Sequence, residues 1–194
     1  MDFDKIINKR HCARSFKDKR ASWKDVMLAI DAANQGPFAG NMNHLKFLIV
    51  EYPETIEKIA KLSSQHWISE SGILVVVCSD DTHLEKQYGE RGRVYSRQQA
   101  GATIMTLILK LTDLGLDSCW VGEYKDELIR QILGIPEHIQ VEAIIPIGYE
   151  KPVKGRTGKQ KKLSLERSIF WEKWEGFRRP SAFEDPNVAH RDAY

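Results

Sequence analysis

Arg97–Leu114 reads RQQAGATIMTLILKLTDL, and this stretch decides how the chain must fold. Its polar residues Gln99, Thr103, Thr106, Lys110 and Asp113 recur at spacings of 4, 3, 4 and 3, the repeat of an α-helix, and make one narrow stripe. Ala100, Ala102, Ile104, Met105, Leu107, Ile108, Leu109, Leu111 and Leu114 cover almost all the remaining circumference. A helix apolar over so much of its surface must be buried on more than one side. A domain of this size usually gives a helix one buried face. The second face therefore belongs either to a subunit interface or to a deeply central helix of a single chain.

Four apolar runs surround this helix and read as strands: Lys46–Glu51, Ile73–Ser79, Ser118–Gly122 and Val141–Gly148. Ile73–Cys78 and Ile144–Ile147 are nearly continuous hydrophobics, as in strands covered on both faces by helices. Pro146 lacks an amide donor, which predicts an edge strand or a bulge there. Helices are expected over Asp2–Lys9, Ser22–Asn34, Pro53–Ser63 and Asp126–Leu133. Ser22 is the expected N-cap of the second, Pro53 fits a first turn, and Gly134 is a C-cap followed by Pro136. Alternating helices and strands give a layered α/β or α+β domain.

The chain has 194 residues, 42% hydrophobic and 29% charged, enough for one domain or at most two very small ones, and unlike a disordered or membrane-spanning chain. The charged N-terminus lacks the apolar stretch of a signal peptide. Cys12, Cys78 and Cys119 form no C-x-x-C pair, so neither a zinc site nor a disulfide framework is expected, and a reducing cytoplasm fits best. A net charge of +2 is too small to imply a nucleic-acid partner. Lys151–Lys162 nevertheless carries six basic residues and no acid. It reads as a solvated loop, as an anion site for a phosphate or, third, as a nucleic-acid face, the last disfavoured because no aromatic residue alternates with the charges.

No H-x-x-x-H pair, G-x-S-x-G elbow or G-x-G-x-x-G fingerprint is present, so metal, serine-nucleophile and Rossmann chemistries have no support. Two segments remain. In Arg10-His11-Cys12-Ala13-Arg14-Ser15-Phe16 the two arginines offer planar donor forks for phosphate or carbonyl oxygens, or simply a solvated turn. Pro37–Phe47 brings Asn41 and Asn43, whose amides donate and accept, into a segment that is otherwise an ordinary helix-to-strand loop.

In this order the segments resemble the nitroreductase family of flavoproteins. Arg10–Phe16 matches its R-x-S-x-R-x-F pattern with Cys12 in place of serine. Pro37–Phe47 matches P-S-x-x-N-x-Q-P-W-x-F more loosely, with Phe38, Asn43, His44 and Leu45 replacing Ser, Gln, Pro and Trp. Leu114–Gly122 looks like L-G-L-x-S-C-W-I-G, and Leu133-Gly134-Ile135-Pro136 and Gly148-Tyr149 stand where the family has L-G-I-P and a G-Y turn. Met105 and Thr106 stand where many members have Gln-Asn. The match runs from about residue 3 to 167.

The resemblance implies an α+β fold, a mostly antiparallel central sheet flanked by helices, in an intertwined homodimer with FMN at two interface sites. It implies an FMN-binding domain over 1–165 and a tail over 166–194 packing on the dimer. Arg10, His11, Cys12 and Arg14 would contact FMN, with Arg14 stabilising charge at N1 and O2. Lys161 or Lys162 would complete the phosphate cradle, Asn41 and Asn43 would reach the flavin from the partner, and the backbone of Gly122 and Glu123 would face N5. No protein nucleophile or metal is required. The implied activity is ping-pong hydride transfer from NAD(P)H through flavin N5 to a nitroaromatic, quinone or similar acceptor, with no nucleic acid or membrane involved. A dehalogenase or flavin-fragmenting enzyme of the same fold, or a non-catalytic flavin-binding protein, is the alternative. Trp171, Trp174 and Phe177 predict a helix with one aromatic face over Leu165–Phe177.

Overall fold

Every residue of Ile73–Ser79 is buried, as its unbroken apolar run demands, and this strand, β2, lies inside a four-stranded sheet. The computed structural model describes residues 2–152 and 167–177. The other strands are β1 (Leu45–Val50), β3 (Asp117–Ser118) and β4 (Gln140–Gly148), arranged β1-β2-β4-β3 with every pair antiparallel. The helices are α1 (Phe3–Lys9), α2 (Trp23–Ala33), α3 (Pro53–Leu62), α4 (Thr82–Tyr88), α5 (Glu90–Asp113) and α6 (Asp126–Leu133). The architecture is α+β with an antiparallel sheet.

Alternation along β2 sorts the core into two halves. Ile73, Val75 and Val77 pack with Ala143, Ile145 and Ile147 of β4 against α2 and α5. Leu74, Val76 and Cys78 pack with Val141 and Ile144 against α3 and α6. Burying each such aliphatic side chain is worth roughly 1.5–3 kcal/mol. A single row therefore rivals the net stability of a whole domain, and neither helical layer is dispensable. Val141 and Ile144 share a face because the register with β2 slips between Val77 and Cys78, leaving Glu142 as an extra residue.

Several sequence expectations need correction. Pro146 marks neither an edge nor the bulge, because β4 is an inner strand and its irregularity falls at Glu142. Its carbonyl accepts from Cys119 N at 3.3 Å, so its missing donor faces the side where β3 has already ended and leaves the β2 ladder intact. The strand expected over Ser118–Gly122 is only the two-residue β3 followed by an isolated bridge, Val121 to Ile144. Ser22 does precede α2, yet its side chain makes no capping bond, whereas Asp2 Oδ1 accepts from Asp4 N at 2.9 Å. Gly134 is the expected left-handed C-cap of α6, at φ 64°.

The long helix begins at Glu90 rather than Arg97, since the polar turn before Arg97 carries no apolar repeat to signal it. Gln99 and Thr103, from the polar stripe, are buried. Gln99 Oε1 accepts from Ala39 N at 3.1 Å, so the upper part of the stripe is the seat of the 36–41 loop. A different face is incompletely covered: Val94 and Ala102 are exposed, and Gly101, Met105 and Leu109 are half-buried.

Two compact units divide the chain, Met1–Pro152 and Val153–Tyr194. In the second, Phe170 packs on Trp174 and Phe177 at ring-centroid distances of 4.8 and 5.3 Å. The helix expected over Leu165–Phe177 is not formed in its described part. Residues 168–177 make turns and bends with Glu172 and Glu175 at φ 60° and 64°, a conformation that gathers the aromatic rings around Phe170 instead of lining them along one face. Among the described residues no helix is long and apolar enough to cross a membrane.

Candidate cofactor site

The segment after α1 is held as an added edge to the sheet. Cys12 bridges Ser118 in the parallel sense and Ala13 N donates to Ser118 O at 3.0 Å. Phe16 bridges Glu150, with Lys17 N to Tyr149 O at 2.7 Å and Lys151 N to Ser15 O at 3.1 Å. Phe16 is 1% exposed, and a Cβ on Gly148 would stand 2.8 Å from its ring, so the glycine of the G-Y pair is what lets the ring seat. Glu70 Oε2 accepts from Phe16 N at 3.0 Å and from Lys151 Nζ at 2.9 Å.

This bracing sets Arg10, Cys12 and Arg14 beside Cys119 and Trp120. Among the described residues neither arginine is paired with a carboxylate, whereas Arg93 and Arg97 both are. Cys12 is lowered to about 5, chiefly by the hydrogen bond from the Cys119 thiol, and further by a backbone bond at Trp120 and the charges of Arg10 and Arg14. Cys119 is pushed up by its hydrogen bond to Cys12 and by burial. His11 turns away from this group: Nδ1 lies 2.9 Å from Lys9 O and Nε2 2.7 Å from Glu150 Oε2.

Gly122 and Glu123 are exposed just past the Val121 bridge, on the Cys119 side of the sheet. A Cβ on Gly122 would meet nothing nearer than Trp120 Nε1 at 4.0 Å, so nothing in the chain itself requires glycine there. Asn41 is exposed in a left-handed conformation at φ 57°, which asparagine tolerates. Asn43 Oδ1 accepts from Leu45 N at 3.0 Å and Nδ2 donates to Asn34 at 3.1 Å, beside a cleft of about 450 Å³ lined also by Met27 and Phe47. Lys161 and Lys162 lie outside the described residues. Of the basic run only Lys151 is described as a cation, and it is paired with Glu70.

The sheet keeps these two groups apart. Leu45 pairs with Ser79, and Ser79 with Gln140; Ser118 pairs with Ile147, and Ile147 with Ile73. The asparagine loop therefore enters one edge of the sheet at one end, and Cys12 lies by the other edge at the opposite end. With strands about 4.8 Å apart and a rise near 3.3 Å per residue, the corners are separated by roughly 25–30 Å.

A second polar cluster carried no recognisable signal in the sequence, because its members come from four separate stretches of the chain. Arg97 bonds Asp81 Oδ2 and Ser79 Oγ at 2.8 and 2.9 Å and also pairs with Glu142. Ser96 Oγ lies 2.5 Å from Asp81 Oδ1 and 2.8 Å from His44 Nε2. A serine has one proton, which goes to the carboxylate, so His44 Nε2–H donates to Ser96 and leaves Nδ1 as a buried acceptor without a partner. Serine sits between histidine and aspartate here, so it is not an activated nucleophile. Burial lowers His44, which keeps the imidazole neutral in this role.

The sheet order and the arginine segment tied to its edge define an α+β fold class with an antiparallel sheet, and the comparisons place it in a family. The model of the nitroreductase family matches residues 7–84 and 72–149. The chain belongs to the nitroreductase family. An Archaeoglobus fulgidus protein provisionally named an NADH dehydrogenase/NAD(P)H nitroreductase is 28% identical over 175 residues, covering 88% of this chain and 97% of that protein. A Methanothermobacter thermautotrophicus protein of the same provisional name is 29% identical over 179 residues, covering 90% and 88%. The crystal structure of a nitroreductase family protein from Streptococcus pneumoniae superimposes with a TM-score of 0.76 at 23% identity, over 87% of this chain and 98% of that one.

Proposed function

We propose that this oxidoreductase-family chain binds FMN and passes electrons from NAD(P)H to a small acceptor such as a nitroarene or quinone. The observation that carries the reading is the pair Arg10 and Arg14, two guanidiniums without a carboxylate partner among the described residues, on a segment fastened to the sheet edge. The donor set fits FMN: two planar forks for a phosphate and for ring oxygens, and an open glycine at 122 that a flat ring can approach. Bound there, FMN would supply hydride acceptance and release. Arg10 would hold the phosphate, and Arg14 would place a fixed cation where the reduced ring is anionic. The backbone at Gly122 and Glu123 would face the ring.

Asn41 and Asn43 belong to the same site only if they come from a second copy, because one chain holds them at the opposite corner. A homodimer is therefore part of the proposal. Its support is the incompletely covered face of α5, together with Phe3 of α1 and Trp23 and Met27 of α2, exposed by 66%, 54% and 46%. The 166–194 tail, whose Trp174 and Phe177 are also exposed, is assigned to packing on that dimer. The deciding experiment is spectral. The purified protein should be yellow, bleach with NAD(P)H without oxygen, and regain colour on adding a nitroarene or quinone. A colourless protein that takes up no FMN at micromolar concentration sinks the reading. An iodotyrosine deiodinase of Thermotoga neapolitana, 22% identical over 160 residues, motivates the second reading, a reductive dehalogenase. Recovery of colour with an iodophenol but not with a nitroarene would favour it.

A further inference from the structure

Three cysteines occupy very different environments. Cys78 faces the α3–α6 core, fully buried, with its thiol pushed up to about 12 by burial. Cys119 is 3% exposed, its Sγ donates to Trp120 O at 3.8 Å, and Cys12 is the strongest influence on its thiol. Cys12 is half-buried, so a small solute reaches it, and it sits between two arginines that favour its thiolate. The Cys12–Ser118 bridge fixes the two backbones side by side. Adjacent strands about 4.8 Å apart, displaced by one residue of about 3.3 Å, put the Cys12 and Cys119 Cα atoms about 6 Å apart, inside the span a disulfide needs. β3 ends at Ser118, so strict strand alternation does not send the Cys119 side chain to the far face, and each thiol is the strongest influence on the other's ionisation, as neighbouring sulfurs are.

We propose that Cys12 and Cys119 form a peroxide-sensitive dithiol, with Cys12 as the attacking sulfur and Cys119 as the resolving one. In the first step the Cys12 thiolate attacks one oxygen of hydrogen peroxide. An S–O bond forms, the O–O bond breaks, and hydroxide leaves and is neutralised by the proton that the Cys12 thiol released to solvent on ionising. Sulfur is oxidised by two electrons and the peroxide is reduced. In the second step the Cys119 sulfur attacks the Cys12 sulfenic acid. An S–S bond forms, the S–O bond breaks, and the Cys119 proton leaves with the hydroxyl as water. A dithiol reductant reverses the process by thiol–disulfide exchange. Oxidation clamps residues 12–13 to 118–119 and removes a negative charge from between Arg10 and Arg14. The proposal does not rest on a bound flavin.

The test uses the full-length protein as purified, freed of reductant, treated with a small excess of hydrogen peroxide, then denatured for thiol titration and intact mass. Of three thiols, two are expected to disappear, the chain should be lighter by two hydrogens, and digestion should yield a linked peptide containing residues 12 and 119. Cys119→Ser should stop at a Cys12 sulfenic acid that dimedone traps. Cys12→Ser should keep both remaining thiols at least tenfold longer, and Cys78→Ser should still form the bridge. Retention of all three thiols in the wild type, loss of the Cys78 thiol, or a bridge found only between chains would each overturn it.

Discussion

Arg10, Cys12 and Arg14 occupy one short stretch, and their charges act on one another. Replacing either arginine by alanine is expected to weaken FMN binding at least tenfold, measured by fluorescence titration, because a charge-assisted bond is worth about 1.5–3 kcal/mol. Full flavin occupancy in both variants would remove them from the site. Cys12, lowered to about 5, should be alkylated by iodoacetamide with an inflection near that pH, while Cys78, pushed up to about 12, stays unmodified in the native protein. The sign for stability follows. A depressed acid contributes fully above its unfolded value of about 8.5 and loses that contribution as pH falls through about 5. An inflection in Cys12 alkylation near pH 9 would contradict this picture. The sequence shows the Arg-x-x-x-Arg spacing and the Cys-for-Ser exchange, but not the thiol partner, since Cys119 is distant in the chain and meets Cys12 only through the Ser118 bridge.

At the scale of elements, α5 was the most legible feature and also the most instructive. Its apolar excess does reflect burial against α2 and the sheet. The polar stripe misleads because Gln99 and Thr103 face a loop rather than water, and no periodicity distinguishes those two destinations. Strands β1, β2 and β4 were readable from continuous apolar runs, whereas α4 and the start of α5 lie in a charged stretch with no repeat. Gly101 supplies the test of the open face. It costs about 1 kcal/mol against alanine in a helix interior, and a Cβ there would meet no atom within 4 Å in this chain. Glycine is explained if a second helix backbone approaches closely. Gly101→Leu is then expected to weaken the dimer at least tenfold by analytical ultracentrifugation with the helical content unchanged. Unaltered self-association would place that face in solvent.

At the scale of the whole molecule, the sequence presents the arginine segment and the asparagine loop as neighbours in order, about 30 residues apart. Only the strand order β1-β2-β4-β3 reveals that one chain carries them to opposite corners. A two-fold axis offers a way to join them, because an isologous pair brings one chain's first corner to its partner's second. This makes a prediction that neither half of the site makes alone. Arg14→Ala and Asn43→Ala chains, each weak in FMN binding by themselves, are unfolded together and refolded as a mixture. If the site is shared, each mixed dimer has one site with both lesions and one with neither. Random pairing then restores about a quarter of all sites to full affinity. If each chain builds its own site, every site keeps one lesion and no tight sites appear. Flavin titration of the refolded mixture against the two separate variants distinguishes these cases, and a mixture no better than its components would place the asparagines outside the FMN site.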